Sequence, residues 1–563
     1  MQLFVVFVIL ALAVGYALWR IVRTLRGRGD CGCGCGHDCP NRRCNRTDSP
    51  CKSCHHRHCD SLTLAALLML SPLAATAGNV VSQLVNDIRH LPYTELHHLI
   101  IIHNGHVISE VHAMPYRATD PHNQYSASKM FTALAVGLAV EDGKLRLDDK
   151  LVDIFPNKLL ASPTIEMRAM TVRHLLTMTS GKVVATAIRD TSVHWVENWL
   201  ALAGTAPGRR FEYDTMTSFI LSAVVQQSTG LRILDLLNER ILHPMGITDA
   251  EWELSPDSIN TGGWGLRCST MSMAKVGQLL LQHGQWNGRQ LIDPAWVNQM
   301  TTDHLHQLGI PVTHIDEFHE GYGYQMWLCD LPGAYRAQGN QGQFTLVYPD
   351  GNLVIAVNCA TPCQSDVLHT LQRYAPQIAT SIGQQSAAMP GFELYGKQWT
   401  HDSLFIKLPE NSLNLCSLTV SRRSSNLILT MHYTDDRSES IPLGYTQWIY
   451  SRLQHTPPYN IGAQNRFSGM NRGFTVAARY ACHIADQLEI RLHFVDWGSS
   501  LGIIIDRSRG RVIINDNKSS NRPEVLTVSD LAVDTRATSK WWIAAFAALF
   551  ITILALIVCN KPT

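Results

Sequence analysis

The sequence predicts an α+β protein: an antiparallel sheet flanked by helices with an inserted helical lobe, then a smaller all-β domain and a C-terminal transmembrane helix. Three observations support this prediction. Strand patterns open and close residues 80–385, whereas the middle of that segment has helical periodicity. Apolar and polar residues alternate within residues 391–533. An apolar run without charges fills residues 541–559.

Length, composition and charge set the broad class of protein. The chain has 563 residues, more than a single domain usually holds. Its hydrophobic content of 45% and charged content of 17% suit a globular protein with membrane segments. The formal net charge is +1 and no basic stripe is interleaved with aromatic residues, so we expect no nucleic-acid partner.

Apolar segments at both ends of the chain, residues 1–20 and 541–559, are predicted to be a transmembrane helix and a transmembrane anchor. Four arginines mark the end of the first segment, and Lys540 and Lys561 bracket the second. The positive-inside rule places the arginine-rich flank in the cytoplasm. We therefore expect residues 80–535 on the extracytoplasmic side of a membrane, either periplasmic or extracellular.

Two further segments precede the globular part. Residues 62–78 are hydrophobic and end in small residues, so they are either a second span or a signal-like core with a cleavage site. Residues 21–61 are basic and rich in cysteine and histidine, with eight of the fifteen cysteines between Cys31 and Cys59. Thiolates and imidazoles are ligands for zinc and other soft metals, so this segment is a possible metal site. A palmitoylated juxtamembrane tract and an unstructured linker fit the same composition.

The strands of the globular part lie at its two ends. An Asn-Gly turn within residues 99–108 predicts a hairpin, and an Asp-Gly turn within residues 344–357 predicts another. Shorter strands are expected at 325–328 and 334–337. Because the two ends can pair, we predict one antiparallel sheet with a cleft between it and the helical lobe. The predicted helices cover residues 171–181, 193–203, 217–230, 231–241, 271–283 and 367–382.

Ser126 and Lys129 stand at the start of another predicted helix, whose apolar face includes Leu134 and Leu138 and which ends near Gly143. Side chains three residues apart lie on the same helical face. A lysine amine with a lowered pKa can accept the proton of a serine hydroxyl, which is otherwise too weak a nucleophile. The alternative is a serine that caps the helix beside a solvated lysine.

This pair is the first of six motifs along the chain. They are Ser-x-x-Lys at 126–129, a capped helix at 170–181, Phe-Glu-Tyr-Asp-Thr at 211–215, Gly-Trp-Gly at 263–265, Gly-Tyr-Gly at 321–323 and Gly-Asn-Gln-Gly-Gln at 339–343. Residues 95–385 thereby resemble the serine β-lactamase and penicillin-binding-protein superfamily. The resemblance is strongest to its class C-like branch, which includes esterases and 6-aminohexanoate-dimer hydrolases.

The resemblance implies roles for individual residues. Ser126 would be the nucleophile, and Lys129 and Tyr213 would activate it. The backbone N–H groups of Ser126 and Gln343 would form the oxyanion hole. The alternative for Tyr213 is an aromatic core residue with a hydrogen-bonded hydroxyl. Residues expected to contact the substrate are Thr215, Asn340, Gln341 and Gly342.

Two positions depart from the pattern of this superfamily. Thr215 stands where the family has asparagine, and a threonine lacks the donor pair of an amide. Asn340 or Gln341 occupies the place of a cationic lysine or histidine, so a β-lactam carboxylate would lose its charge partner. We therefore expect an ester, amide or peptide substrate in preference to a β-lactam.

The leading hypothesis is a membrane-anchored serine hydrolase that acts through an acyl-enzyme on a small-molecule, peptide or cell-wall substrate. This chemistry needs no metal and no organic cofactor. The alternative is a catalytically silent scaffold or sensor that binds peptidoglycan or a peptide, with the β domain as the binding module. The changed positions Thr215, Asn340 and Gln341 motivate that alternative.

Overall fold

A computed structural model describes the globular part of the chain. The apolar segments 1–20, 62–78 and 541–559 and the cysteine-rich segment 21–61 lie outside the described residues, so the predictions for them stay untested. Among the helices of the described residues, none is long and apolar enough to cross a membrane. The described residues are 79–183, 187–310, 321–381, 387–401, 403–455, 470, 472–484, 486–516, 523–528 and 531.

The first part of the described chain mixes strands and helices. Its strands are β1 (Glu95–His103), β2 (His106–His112), β3 (His122–Asn123), β4 (Glu251–Trp252), β5 (Leu266–Cys268), β6 (Gln285–Trp286), β7 (Arg289–Gln290), β8 (Trp327–Leu328), β9 (Tyr335–Gly339), β10 (Gln343–Tyr348) and β11 (Leu353–Ala360). Its helices are α1 (Val80–His90), α2 (Ser128–Glu141), α3 (Leu151–Ile154), α4 (Ile165–Ala169), α5 (Val172–Leu176), α6 (Ile188–Thr191), α7 (Trp195–Ala201), α8 (Thr215–Thr229), α9 (Ile233–Leu237), α10 (Thr270–Leu281), α11 (Pro294–Met300), α12 (His304–Gln307) and α13 (Gln364–Ala379).

The largest sheet of this part has the strand order β2-β1-β11-β10-β9-β8. Its neighbouring strands are antiparallel, and the first strand pairs with the last, with Ile101 opposite Ile355. The two hairpins predicted from Asn-Gly and Asp-Gly turns are both present, as β1–β2 and β10–β11. Strands from the two ends of the segment therefore form one sheet, as the sequence predicted.

Helices cover both faces of this sheet because its residues alternate between two cores. Leu99 and Ile101 pack with α1 and α13 on one face. Ile100 and Ile102 belong to the core on the other face, which also contains α2, α8 and α10. A smaller sheet has the strand order β3-β5-β4. Its strand β3 lies shortly before α2 in the sequence.

The described residues between 391 and 531 are here called the C-terminal β region. Two antiparallel sheets, one of four strands and one of six, each with its strands in chain order, contribute to one hydrophobic core. The alternating residues Leu488, Ile490, Leu492 and Phe494 are all buried in it. The prediction of a further all-β region is confirmed. Its strands are β12 (Ser403–Lys407), β13 (Leu415–Arg423), β14 (Asn426–Tyr433), β15 (Ser438–Leu443), β16 (Ile449–Arg452), β17 (Thr475–Ile484), β18 (Gln487–Phe494), β19 (Ser499–Asp506), β20 (Arg511–Asp516) and β21 (Glu524–Thr527).

Some elements are shorter than the sequence predicted. The helix expected at 171–181 ends at Leu176 because Met178 adopts a positive φ of 54°. The strand expected at 325–328 begins only at Trp327, since Gln325 has a φ of 60°. No disulfide bond joins the six cysteines of the described residues.

Candidate active site

Ser126 lies in a 3-10 turn, Tyr125–Ala127, that leads into α2. Its side chain is half-buried, so solvent can reach it. Tyr125, the residue before it, has a φ of 45°, in the left-handed region that a bulky residue seldom adopts. The Lys129 Nζ donates a hydrogen bond of 2.9 Å to Ser126 Oγ. The structure thus brings together the pair that the Ser-x-x-Lys spacing predicted.

Lys129 is bound at three points. Besides Ser126, its Nζ donates to the carbonyl oxygen of Gly263 at 2.9 Å and to Thr215 Oγ1 at 3.3 Å. An ammonium group has three donors, so these acceptors use all of them. The side chain is only 2% exposed. The amine is therefore fixed at the serine hydroxyl and shielded from water.

Thr215 and Tyr213 reach the site from the start of α8. Asp214 caps this helix, because its carboxylate accepts from the backbone N–H groups of Met216 at 3.2 Å and Thr217 at 2.9 Å. The cap fixes Thr215 as the first helical residue. Thr215, expected to contact the substrate, is here an acceptor for Lys129.

Tyr213 presents the face of its ring to the site. The Lys129 Nζ lies 4.7 Å from the ring centroid, a cation–π distance. Among the described residues, the Tyr213 hydroxyl makes no hydrogen bond to Ser126. The ring packs beside Trp327 and Tyr322, which close one side of the site with an aromatic wall. The Tyr213 ring is thus partly buried in an aromatic cluster and faces the Lys129 amine, and its catalytic role stays a prediction.

Gly263 is a contact that the sequence did not assign. The Gly-Trp-Gly motif marked its place, but nothing in the motif identified its carbonyl oxygen as an acceptor for Lys129. A Cβ at this position would lie 2.5 Å from the carbonyl oxygen of Thr215. Only glycine allows the loop to approach α8 so closely.

Glu253 lies behind the loop that carries Gly263. Its Oε2 accepts a hydrogen bond of 3.1 Å from Trp264 Nε1. Burial raises the pKa of this carboxyl group to about 8, despite the opposing effects of the Trp264 bond and of Arg189. The group is therefore protonated at neutral pH, which allows it to lie in the core.

The hairpin β9–β10 lies on the other side of the nucleophile turn. A Cβ on Gly339, its last β9 residue, would meet the carbonyl oxygen of Gln124 at 2.2 Å and the Ala127 nitrogen at 3.2 Å. Gly339 pairs with Gln343, the first residue of β10. The hairpin therefore presses against the turn that holds Ser126, as an oxyanion hole between Ser126 and Gln343 requires. That oxyanion hole stays a prediction.

The loop of this hairpin contains the other residues expected to contact substrate. Asn340 is exposed, Gln341 is half-buried with a φ of 64°, and Gly342 is buried with a φ of 84°. Side chains rarely adopt the conformation of Gly342, and a Cβ there would lie 2.9 Å from Thr361. The Gln343 Nε2 lies 2.8–3.1 Å from three carbonyl oxygens, two of them in this loop. Gln343 thus shapes the loop through its buried side chain.

A buried amide on the central strand β11 joins the two sides of the site. The Asn358 Nδ2 donates to Gln343 Oε1 at 2.8 Å and to Gln124 Oε1 at 3.1 Å. All three side chains are at most 2% exposed. The sequence did not predict Asn358 or Gln124 as site residues, because no motif marks them and they lie far apart in the chain.

One group of possible metal ligands occurs in the part of the chain that the structure describes. The ligand atoms of His194, Glu197 and Asp257 all lie within 4.8 Å of one another. The Glu197 carboxylate already accepts from Lys158 Nζ at 2.6 Å, which neutralises its charge. We therefore assign no metal role to this group.

Comparison with known proteins gives a match over the segment that carries the motifs. Residues 98–371 match the family model described as Beta-lactamase. Over 249 residues the chain is 18% identical to a 6-aminohexanoate-dimer hydrolase from Paenarthrobacter ureafaciens, which covers 41% of this chain and 63% of that protein. The match thus spans less than two thirds of the relative's length. The resemblance predicted from the motifs is confirmed.

Solved structures also match this chain. A beta-lactamase from Mycobacterium bovis is 18% identical with a TM-score of 0.40, covering 52% of this chain and 97% of its own. An octameric penicillin-binding protein homologue from Pyrococcus abyssi is 14% identical with a TM-score of 0.43, covering 79% of this chain and 99% of its own.

Proposed function

We propose that this chain, whose residues 98–371 form a domain of the Beta-lactamase family, is a serine hydrolase that acts through an acyl-enzyme on Ser126. The observation that carries the proposal is the hydrogen bond of 2.9 Å between Lys129 Nζ and Ser126 Oγ. A nucleophile beside a buried, fixed amine is the arrangement that covalent catalysis requires.

In the first half of the reaction, the neutral form of Lys129 accepts the hydroxyl proton of Ser126 as Oγ bonds to the substrate carbonyl carbon. The protonated amine is then stabilised by Thr215, Gly263 and the Tyr213 ring face. When the tetrahedral intermediate collapses, this proton goes to the leaving alcohol or amine. The acyl group remains on Ser126.

In the second half, water attacks the acyl carbonyl and Lys129 again accepts the proton. Ser126 Oγ leaves as the tetrahedral intermediate collapses and takes this proton back from Lys129. The free acid then departs. We assign the backbone N–H groups of Ser126 and Gln343 to the carbonyl oxygen in both halves, with the loop 340–342 beside the substrate. Tyr213 acts through its ring, and a proton relay through its hydroxyl stays a prediction.

The substrate that we propose is an ester, amide or peptide. The matched relative is named for hydrolysing a 6-aminohexanoate dimer, which favours substrates of this kind. The loop 340–342 offers an exposed asparagine where a β-lactam carboxylate would need a cation. The partly exposed ring of Tyr213, packed against the buried Trp327 and Tyr322, suits an apolar substituent on the substrate.

We further propose that the active domain is anchored to a membrane and faces the extracytoplasmic side, towards small-molecule, peptide or cell-wall substrates. This proposal rests on the apolar segments 1–20 and 541–559 and on the arginines after the first. Protease accessibility of the full chain in sealed, right-side-out vesicles tests it. Added protease should cleave residues 80–535, and protection of these residues would contradict the proposal.

The proposed activity is tested with short-chain p-nitrophenyl esters and p-nitroanilides. The wild-type chain and a Ser438→Ala variant, which changes an exposed serine in β15, should hydrolyse them equally. Ser126→Ala should abolish hydrolysis. Full activity of Ser126→Ala would exclude the assigned nucleophile.

A second candidate function is a silent scaffold or sensor that binds peptidoglycan or a peptide. The Tyr213 hydroxyl, which makes no bond to Ser126 in the described residues, is the observation that favours it. Tight binding of a peptidoglycan fragment by a chain without any esterase or amidase activity would support this function over the first.

A further inference from the structure

The C-terminal β region touches the segment that leads into Ser126. The turn between β18 and β19, residues 495–498, carries Trp497, whose ring packs edge-on against Tyr125 at 6.1 Å between centroids. Trp497 is 2% exposed and Tyr125 is 5% exposed, so this contact is buried. Tyr125 is the residue that adopts a left-handed φ immediately before the nucleophile.

The same turn also contacts His122, three residues before Tyr125. Gly498 has a φ of 71°, and a Cβ added to it would lie 2.2 Å from the ring of His122. No larger residue fits between the turn and β3. The backbone of the turn is therefore in direct contact with the strand that precedes Tyr125.

A buried arginine ties the neighbouring strand to the same region. Arg267 lies in β5, opposite Asn123 of β3, and is fully buried. Its guanidinium donates to the carbonyl oxygen of Gly473 at 2.9 Å and lies 3.6 Å from Asp496 in the turn. It also donates to Glu251 of β4, so the small sheet and the β region share one ion-paired cluster.

We propose that the turn 495–498 of the C-terminal β region is a positioning element for Ser126, with Trp497 as the main positioning residue. A bulky residue in the left-handed region is strained and persists only where its surroundings hold it. The buried Trp497 ring packs against the Tyr125 ring and so holds that residue in place. Relaxation would turn the Tyr125–Ser126 peptide and take Oγ away from Lys129.

The β region thus has a role in the site itself, beyond that of a separate binding module. This inference rests on the proposed function in the tests that measure activity, because Trp497 is inferred to support the reactivity of Ser126. Trp497 touches neither substrate nor Ser126, so it acts only through Tyr125.

The test compares Trp497→Ala with Trp399→Ala in the full chain. Trp399 lies in the core of the same β region and is 1% exposed, so both changes remove an indole of equal burial. Two readouts are taken: the second-order rate of Ser126 labelling by a fluorophosphonate, and hydrogen exchange of the amides of residues 122–128.

We expect Trp497→Ala to slow labelling at least tenfold and to speed exchange of residues 122–128. Trp399→Ala should leave both readouts near the wild-type values even if it lowers the melting temperature as much. In steady-state assays, Trp497→Ala should lower kcat with little change in KM, and Trp497→Phe should restore most of the loss. If Trp497→Ala does not fold, the milder Trp497→Leu serves in the same comparison.

Equal labelling and equal exchange in the Trp497 and Trp399 variants would overturn the inference while leaving the proposed function intact. Failure of the wild-type chain to be labelled would instead remove the proposed function. In that case exchange of residues 122–128 decides the inference: faster exchange in Trp497→Ala supports it, and unchanged exchange overturns it.

Discussion

The two sides of the candidate site are built in different ways. On the lysine side, side chains and one carbonyl oxygen bind Lys129 directly, and Lys129 binds Ser126. On the hairpin side, buried amides bind the loop and each other but not the nucleophile. In the proposed mechanism the first side accepts the proton of Ser126, whereas the second shapes the space in front of it. Loss of Lys129 itself should abolish hydrolysis, whereas damage to the hairpin side should weaken it.

The largest effect is expected from Lys129→Met. Loss of the amine removes the proton acceptor, so kcat/KM for an ester should fall by about a thousandfold. Lys182→Met is the matched control, since Lys182 is also buried and donates to carbonyl oxygens, and burial lowers its pKa to about 8. The control should keep most of the activity per folded molecule. Equal losses in both variants would show that burial of a lysine, and not its bond to Ser126, matters.

A smaller effect is expected on the hairpin side from Asn358→Leu. The change leaves Gln124 Oε1 and Gln343 Oε1 without their shared donor, and each unsatisfied group costs about 1–3 kcal/mol. We expect kcat to fall by about tenfold to a hundredfold together with a lower melting temperature. Thr345→Val is the control, because the buried Thr345 hydroxyl in β10 has no hydrogen-bond partner among the described residues. An unchanged kcat in Asn358→Leu would show that the bonds of Asn358 to Gln124 and Gln343 do not support catalysis.

Thr215→Val should have a modest effect on the lysine side. It removes one of three acceptors for Lys129 and keeps the shape of the side chain, so a loss of about fivefold in kcat is expected, equivalent to one hydrogen bond. Thr215→Ser keeps the hydroxyl and should restore activity. If Thr215→Val changes KM alone, Thr215 contacts the substrate, as the sequence predicted, and does not hold Lys129.

The smallest effect on turnover is expected from Glu253→Gln, which should instead change the pH dependence of stability. The folded carboxyl keeps its proton up to a pKa of about 8, whereas the unfolded one releases it near 4.5. Between these values the unfolded state binds fewer protons, so the free energy of unfolding should fall as the pH rises, by about 1 kcal/mol per unit. Denaturant titrations at several pH values should show a flatter profile for Glu253→Gln. Glu410→Gln, at an exposed site, should retain the slope.

The sequence predicted the features that depend on neighbours in the chain. The Ser126–Lys129 pair follows from helical geometry over three residues, and the β1–β2 hairpin follows from its Asn-Gly turn. The site features that it missed are long-range. The Gly263 oxygen lies 134 residues from Lys129, and Asn358 lies 234 residues from Gln124. Only tertiary packing brings such groups together, and no local periodicity or turn chemistry marks them.

The role of the β region shows the same limit. Alternation along residues 487–494 predicted a strand with a buried face, and the face is buried. The contact of Trp497 with Tyr125, however, joins the β region to the residue before Ser126, and neither residue belongs to a motif. A sequence pattern predicts which side chains are buried far better than it predicts what they are buried against.

The most direct measurement of the central claim is peptide mapping by mass spectrometry after the full chain reacts with a fluorophosphonate. We predict one adduct, on Ser126, formed quickly in the wild-type chain and at least a hundredfold more slowly in Lys129→Met. No adduct on the wild-type chain, or an adduct on a different residue that persists in Ser126→Ala, would contradict the assignment of Ser126 and Lys129 as nucleophile and base.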